Sequence, residues 1–332
     1  MKLLKQTAAI CTVLAVALAG LYAQAPAGPD PLEKAVKDDT KASIDRGLGF
    51  LRWNQSEDGN WHGDAVLTGL ALRAFADSHR GYVEADGPFI RRPIEYLTQV
   101  ANELPAFDPR VTTQADVQDA ASVRIGLSPY ADEGAVNLLG SYGNEYLTMG
   151  LVSQDQFRDA SDVFELAHAL MSLADSGGVS ANTRNVALRL LGQFQDVETW
   201  GFTPDGASDQ VTADATAMGA LALVLAGVDP GDARLAGAIR WLESNYDIVR
   251  SSGSDRFYHY AYGLTQSLHR IGMYEISGAD GASHSWRTEV ASALNAAQQW
   301  DGHWVNEGSV TESDPIRTSV LAVHALEVIY NN

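Results

Sequence analysis

The chain has 332 residues, of which 45% are hydrophobic and 20% are charged. This balance is typical of a globular protein and excludes a disordered one. Acidic residues outnumber Lys and Arg by 42 to 23, so the formal net charge is −19. That charge argues against nucleic-acid binding, because phosphate contacts need clustered Lys and Arg. The single cysteine, Cys11, excludes a disulfide framework and a thiolate zinc site.

The first 25 residues have the pattern of a signal peptide. Lys2 and Lys5 precede an apolar run over residues 7–21, and residues 23–25 (Ala-Gln-Ala) match a small-x-small cleavage site. The sequence therefore predicts export to the periplasm or the cell exterior. The alternative is a retained anchor, but the apolar run is short for a span, which takes about 20 residues. We expect no transmembrane segment after cleavage.

The rest of the chain divides into a short lead-in and one repetitive domain. Residues 26–40 are rich in Pro and charge and predict a flexible lead-in, whereas residues 41–332 predict a single domain. Three of its segments share one pattern, in which an apolar-periodic helix is followed by a Gln, a Trp and a second helix rich in Ala, Gly and Thr. The separations between Gln55, Gln195 and Gln299 fit one period of about 47 to 52 residues.

These repeats predict an all-α fold, an α/α toroid of about six helical hairpins with an inner and an outer ring. Strand signals are weak, because alternating β-branched runs with Asn-Gly turns are absent from the sequence. Small residues in every second helix favour a closed ring over an open solenoid, since crowded inner helices need Ala and Gly at their contacts. Residues 105–160 are irregular, so we expect long loops there.

The turn between the paired helices predicts a clamp between repeats. The Gln amide can bind unpaired backbone groups at a helix end, the Gly permits a tight turn, and the Trp offers a flat face for the next repeat. The second copy lacks the Gly two positions before the Trp. The residues assigned to these structural turns are Gln55, Gly59, Trp61, Gln195, Trp200, Gln299, Gly302 and Trp304.

This turn resembles the Gln–Trp repeat of the prenyltransferase and squalene-cyclase repeat superfamily, the terpenoid-cyclase-like α/α toroids. Residues 258–286 are similar to the last repeats of uncharacterised exported bacterial members. The resemblance implies a central cavity that binds an apolar or isoprenoid-like ligand, with terpenoid-cyclase-like activity as one option. A non-catalytic binding or scaffold module and a carbohydrate-active hydrolase or lyase stay open as alternatives. The zinc site of protein prenyltransferases and the thioester of related binding proteins both need a Cys, which the mature chain lacks.

The resemblance also suggests a catalytic residue. Asp214 falls on the central acid, the proton donor, of the Asp-x-Asp-Asp-Thr-Ala motif of class II terpene cyclases. Both flanking acids are missing, because Thr212 and Ala215 replace them. An acid that protonates an alkene must be tuned by its neighbours and a dry pocket. The alternative is an ordinary helix-start Asp, favoured by the helix dipole. Whether the protein is an enzyme, an isomerase of the cyclase type, therefore stays open.

A further group of polar and aromatic residues predicts the ligand-contacting surface. Acids and a His that follow the turns should cluster at one mouth of the toroid, and aromatic residues in the last repeats can line an apolar pocket or pack in the core. The candidates are Tyr258, Tyr260, Tyr262, Trp286, His62, Asp64 and Asp314. The sequence has no His-Glu-x-x-His motif, EF-hand loop or nucleotide-binding Gly-rich loop, so we expect no metal and no cofactor. Beyond a small apolar ligand, the sequence does not identify a protein partner.

Overall fold

A computed structural model describes most of the chain beyond the predicted signal peptide, which lies outside the described residues. Much of the region 105–160, where long loops are expected, lies outside them as well. The described residues are 32–106, 108, 112–130, 162–174, 179–205 and 208–332. No helix in these ranges carries an apolar stretch long enough to cross a membrane.

Helices account for nearly all of the regular structure in the described residues. In chain order they are α1 (Lys34–Trp53), α2 (Ala65–Asp77), α3 (Pro88–Glu103), α4 (Gln114–Leu127), α5 (Val163–Ala174), α6 (Ala181–Phe194), α7 (Ala213–Leu225), α8 (Ala233–Asn245), the short α9 (Ile248–Ser251), α10 (Phe257–Arg270), α11 (Trp286–Ala297) and α12 (Pro315–Asn331). A 3₁₀ turn covers Glu84–Asp86. The antiparallel strands β1 (Ile276–Ser277) and β2 (Ser283–His284) form a small hairpin between α10 and α11.

Six of these helices form a closed inner ring. Helices α2, α4, α5, α7, α10 and α12 contact one another in that order, and α12 returns to contact α2. Helices α1, α3, α6, α8 and α11 pack outside them, each preceding its inner partner in the chain. Five outer–inner hairpins are thus complete in the described residues, and the sixth inner helix is α5. The predicted all-α toroid with two rings is confirmed.

Small residues let the inner helices approach closely, as the sequence predicts. A Cβ atom added to Gly69 in α2 would lie 2.3 Å from the carbonyl oxygen of Ser122 in α4, and one added to Gly126 would lie 2.8 Å from the Cα of Gly69. The two backbones are therefore in direct contact, which no larger side chain would permit. This close packing draws the ring together around its centre.

The domain starts earlier than the sequence pattern indicates. Helix α1 begins at Lys34, seven residues before the expected boundary at 41, so part of the predicted flexible lead-in is helical. Its first two turns are mostly exposed, and Lys34 forms an ion pair with Asp38 one turn later. The pattern of buried residues begins only at Thr40, which is why the apolar periodicity misses this extension.

The Gln side chains tie each turn to the neighbouring outer helix. The Nε2 of Gln55 donates to the carbonyls of Gly59, in its own turn, at 3.1 Å and of Phe89, at the start of α3, at 3.0 Å. Gln195 makes the same pair of bonds to the carbonyls of Trp200 and Arg234. The predicted role of this amide as a clamp therefore has its geometric basis in two bonds per turn.

The third turn uses Gln298 and not the predicted Gln299. The Nε2 of Gln298 donates to the carbonyls of Gly302 and of Ser43 in α1, both at 2.9 Å. Gln299 is exposed, and its side-chain amide donates to the nearby carbonyl of Ala297 and to no neighbouring helix among the described residues. Two adjacent Gln residues make the sequence ambiguous, and the spacing of four from Gln to the bonded Gly, as in Gln55 and Gly59, identifies the first.

In the first and third repeats the Trp of the turn is buried beneath the turn, whereas in the second repeat it is not. Trp61 and Trp304 are fully buried, and their indole N–H groups donate to the carbonyls of Leu51 and Leu294 at the end of the preceding helix. In the second repeat the buried ring is Phe202 and not the predicted Trp200. The backbone N–H groups of Trp61, Phe202 and Trp304 each donate to a hydroxyl of the following inner helix, which shows that these three positions are equivalent.

Trp200 instead occupies the position of the missing Gly. Its φ is +67°, against +85° for Gly59 and +100° for Gly302. A Cβ on Gly59 would lie 2.4 Å from Arg92 of α3, whereas the helix that faces Trp200 provides Gly237, whose added Cβ would lie 2.5 Å from Trp200 Cγ. The glycine has moved from the turn to the facing helix, and this exchange makes room for the indole.

Replacing Gly237 with alanine is expected to lower the free energy of unfolding by about 1–3 kcal/mol, because the new methyl group overlaps Trp200. The matched control is Gly192→Ala in α6, where nothing lies within 4 Å of the added Cβ. That variant should gain about 0.5–1 kcal/mol from the better helix propensity of alanine. Urea unfolding followed by circular dichroism measures both, and changes of the same sign would contradict the packing described.

Candidate functional site

The inner ring encloses a central cavity of about 440 Å³. Nine of the eighteen residues that line it are apolar, with seven aliphatic or thioether side chains and two aromatic rings. These residues are Val66, Leu67, Leu70, Phe164, Met171, Met218, Tyr262, Val320 and Leu321. Charged and polar residues make up the rest of the lining, and most lie at or just before the N-terminal ends of inner helices. They are Asp64, Gln118, Asp162, Glu165, His168, Arg256, His259, Thr311 and Arg317.

Helix capping places several carboxylates at this charged end, which we call the mouth. The first N–H groups of a helix lack a backbone partner, and an Asp side chain can accept hydrogen bonds from them. Asp64 caps α2 by accepting from Leu67 N at 3.0 Å, while its other oxygen lies 3.0 Å from Nη2 of Arg317. Asp162 precedes α5 and accepts from Glu165 N at 2.8 Å. Local helix capping therefore accounts for the positions of these two acids at the mouth.

Asp162 and Glu165 form a pair of carboxyl groups with shifted proton affinities. Burial, with the nearby charge of Asp162, raises the pKa of Glu165 to about 7, and burial also raises the pKa of Asp162 above its usual range. A carboxyl group with a pKa near 7 can both hold and release a proton at neutral pH. Glu165 lines the cavity, so any such proton is available there.

A second polar cluster ties three parts of the ring together at the mouth. Glu312 is fully buried, and its Oε1 accepts from the backbone N–H of His259 at 2.9 Å and lies 2.8 Å from the imidazole Nδ1. The ring of Phe164 meets that imidazole edge-on at 5.3 Å, and the guanidinium of Arg256 lies 5.1 Å from the Phe164 ring. These contacts fix the orientation of α5 and α10 around the opening.

The candidate acid Asp214 is buried but does not line the cavity. It is the second residue of α7 and 8% exposed, and its Oδ2 lies 3.6 Å from Nη1 of Arg256. Thr212 caps the helix by accepting from Ala215 N. This placement matches the helix-start alternative, and Asp214 reaches the mouth only through its contact with Arg256. Its role as proton donor stays a prediction.

The predicted ligand-contacting residues separate into three groups. Asp64 and Tyr262 line the cavity. His62 and Asp314 lie beside the mouth, with His62 Nε2 3.5 Å from Asp314 Oδ1, and Asp314 caps α12. Tyr262 is also the one aromatic residue of the predicted set that faces the cavity.

The other three predicted contacts are structural and do not reach the cavity. They are Tyr258, whose hydroxyl donates to the carbonyl of Val305, Tyr260, which is buried, and Trp286, whose indole N–H donates to the carbonyl of Met273. The spacing of two between the tyrosines rotates them around α10, so that only Tyr262 faces the centre. The positions of Tyr258 and Tyr260 match the core-packing alternative, and a role of the three residues in ligand contact stays a prediction.

Most of the residues that line the cavity, Glu165 and His168 among them, are not in the predicted set. His168 lies on α5 with Phe164 and Met171, and all three line the cavity. Asp162 and Glu165 form a capping-box pattern that looks like any helix start. Among the residues that the structure describes, no group of three or more His, Cys, Asp or Glu side chains could hold a metal ion.

No protein-family model matches the chain, and no curated protein is similar to it in sequence. Two of the solved structures that match this chain are covered over 99% of their own length. The ligand-free type II terpene cyclase MstE from Scytonema, a point variant, has a TM-score of 0.55 at 13% identity, and the match covers 90% of this chain and 99% of that one. A protein from Actinoplanes has a TM-score of 0.53 at 14% identity, covering 87% and 99%.

The chain has the fold of a type II terpene cyclase. The terpenoid-cyclase-like toroid expected from the Gln–Trp turns is thereby confirmed. At 13–14% identity the likeness concerns the fold, so the function must be argued from the cavity itself.

Proposed function

We propose that the protein binds an apolar, isoprenoid-like small molecule in the central cavity. The observation that carries this proposal is the cavity itself, about 440 Å³ in volume with walls of Leu, Val and Met side chains. Ligand pockets of proteins range from roughly 300 to 1,000 Å³ and are mostly apolar with a few placed polar groups. Transfer of an apolar molecule from water to such a wall is favourable in proportion to the area buried.

The charges at the mouth support one orientation of this ligand. Asp64 pairs with Arg317 at 3.0 Å, and Arg256 lies 3.6 Å from Asp214. Opposite charges compensate one another within each of these two pairs. The charged side chains lie at the mouth, so we expect the apolar body of the ligand to lie deep, between α2, α7 and α12, with any polar end toward α5 and the mouth.

The two alternative functions fit the cavity less well. A carbohydrate site uses aromatic walls that stack on sugar rings beside two carboxylates. Phe164 and Tyr262 are the two aromatic rings among the described lining residues, and the remaining apolar wall is aliphatic or thioether. A scaffold module would have a shallow polar centre, whereas this centre is an apolar cavity.

Native mass spectrometry of the protein purified without detergent tests the binding proposal. A bound molecule adds a defined mass that lipid extraction removes, and added C10 or C15 isoprenoids should restore an adduct of one per chain. Failure of both the purified and the reloaded protein to carry an adduct would refute the proposal.

We further propose that the chain is exported. N-terminal sequencing of the periplasmic protein should then give a sequence that begins at Pro26.

Acid-catalysed rearrangement of the bound isoprenoid is the second candidate function, and Glu165 is the observation that favours it. Its carboxyl group lies on the cavity wall with a pKa raised to about 7, whereas Asp214 is not on the wall. If Glu165 supplies the proton, Glu165→Gln should lower product formation from a C15 isoprenoid by about 100-fold, within the range of general acid catalysis. Asp214→Asn should then retain most of the product formation. Gas chromatography measures the products of both variants. Loss of product in Asp214→Asn, with Glu165→Gln unaffected, would instead assign the role of proton donor to Asp214.

A further inference from the structure

His168 is a buried histidine on the cavity wall, and the described residues engage one of its two ring nitrogens. It lies on α5, lines the cavity and is 9% exposed. Its Nε2 lies 2.9 Å from the hydroxyl of Ser122 in α4. Among the described residues nothing forms a hydrogen bond with its Nδ1. Burial lowers the pKa of His168 to about 4, so the imidazole is neutral at physiological pH.

The hydrogen bonds around Ser122 determine which nitrogen carries the proton. The Ser122 hydroxyl has one proton, which it donates to the carbonyl of Gln118 at 2.6 Å. Ser122 can therefore only accept from His168, so Nε2 carries the hydrogen. In a neutral imidazole the other nitrogen is then an acceptor with a free lone pair. His168 accordingly presents a hydrogen-bond acceptor, Nδ1, on the wall of the cavity.

We propose that the cavity selects an apolar ligand that carries a hydroxyl group, and that this hydroxyl donates a hydrogen bond to Nδ1 of His168. This inference rests on the proposed function and specifies its ligand class. A pure hydrocarbon would cover Nδ1 without satisfying it, and a buried acceptor without a partner costs free energy. Sites built to bind a hydroxyl discriminate strongly against analogues that lack the hydroxyl proton.

The neighbours of His168 hold the acceptor in place. Gln118 donates from Nε2 to the backbone carbonyl of Glu165 at 3.2 Å, which joins α4 to α5 one turn before His168. The Ser122 bond fixes the plane of the imidazole from the same helix. Two bonds between α4 and α5 thus position one nitrogen, which is the arrangement expected of a binding group and not of a loosely packed side chain.

The test compares two probes that differ at one position, where a methyl group replaces the hydroxyl proton. Geraniol and geranyl methyl ether share a C10 skeleton, and each is titrated against the protein loaded with the apolar dye Nile red. The wild-type protein should bind the alcohol about 10-fold more tightly, the factor expected for one buried hydrogen bond. His168→Phe keeps a ring of similar size but removes the acceptor, so it should bind both probes within about 2-fold of each other.

Each outcome separates this inference from the proposed function. Equal binding of alcohol and ether by the wild-type protein would overturn the inference while leaving the proposed function intact. Binding of neither would refute both. If His168→Phe does not fold, Ser122→Ala replaces it, because loss of the Ser122 acceptor frees the imidazole and should reduce the alcohol preference. An unchanged 10-fold preference in either folded variant would also overturn the assignment.

Discussion

Replacing Trp61 with alanine is expected to lower the free energy of unfolding by about 3–5 kcal/mol, the range for truncating a buried Trp. Trp61 is fully buried, and its indole N–H closes the end of α1 through the carbonyl of Leu51. The change also leaves that carbonyl without its partner. For a domain of this size the loss corresponds to a fall in melting temperature of roughly 10 °C. Trp304→Ala should behave alike, because its environment is the same.

The chain provides its own control for this experiment. Trp300 lies in the same turn as Trp304 but is 92% exposed. Exposed substitutions usually change stability by less than about 0.5 kcal/mol, and Trp300→Ala should fall within that limit. Differential scanning calorimetry of the three variants gives the comparison directly. A Trp61→Ala protein as stable as Trp300→Ala would show that the turn Trp is not an architectural element.

Replacing Leu70 with tryptophan is expected to weaken binding of an apolar ligand by about 100-fold. Leu70 is half-buried and lines the cavity from α2, so the indole occupies space that the ligand needs. Close-packed interiors yield little to such an intrusion. The cost in stability should stay within about 1–3 kcal/mol, because the added volume enters an open cavity. Displacement of Nile red by geraniol measures the change in affinity.

Val197→Trp is the matched control for the blocked variant. Val197 is 83% exposed and does not line the cavity, so a Trp there adds the same fluorophore and bulk on the surface. Its affinity for the probe should stay within about 2-fold of the wild-type value. If Leu70→Trp binds as tightly as Val197→Trp, the ligand lies elsewhere on the protein.

The ring could be predicted from sequence because its turns repeat a specific chemistry. Gln and Trp at a regular spacing predict the same turn structure in each copy, and Ala and Gly in the second helices predict close contact between the inner helices. The sequence-based predictions of the turn residues were wrong where a nearby residue takes the expected structural role. Gln298 lies beside Gln299, and Phe202 replaces the Trp once Trp200 has taken the place of a Gly, an exchange that depends on Gly237 in another helix.

The site was less accessible to sequence reasoning. Asp64 and Tyr262 were predicted to contact the ligand and do line the cavity. Whether Tyr258 or Tyr262 faces the centre depends on how α10 is rotated against its neighbours, which local spacing does not determine. Glu165 looks like part of a helix cap, and its raised pKa arises only from burial by the assembled ring. The position of the proton on His168 depends on its hydrogen bond with Ser122, a residue 46 positions earlier.

A crystal structure of the protein soaked with geraniol tests the central claim most directly. The account predicts electron density inside the inner ring, in contact with Leu70, Met218 and Val320, with the hydroxyl oxygen about 2.7–3.0 Å from Nδ1 of His168. Well-ordered density for the probe on the outer surface, with the cavity holding only water, would contradict the claim that this ring encloses a site for apolar ligands.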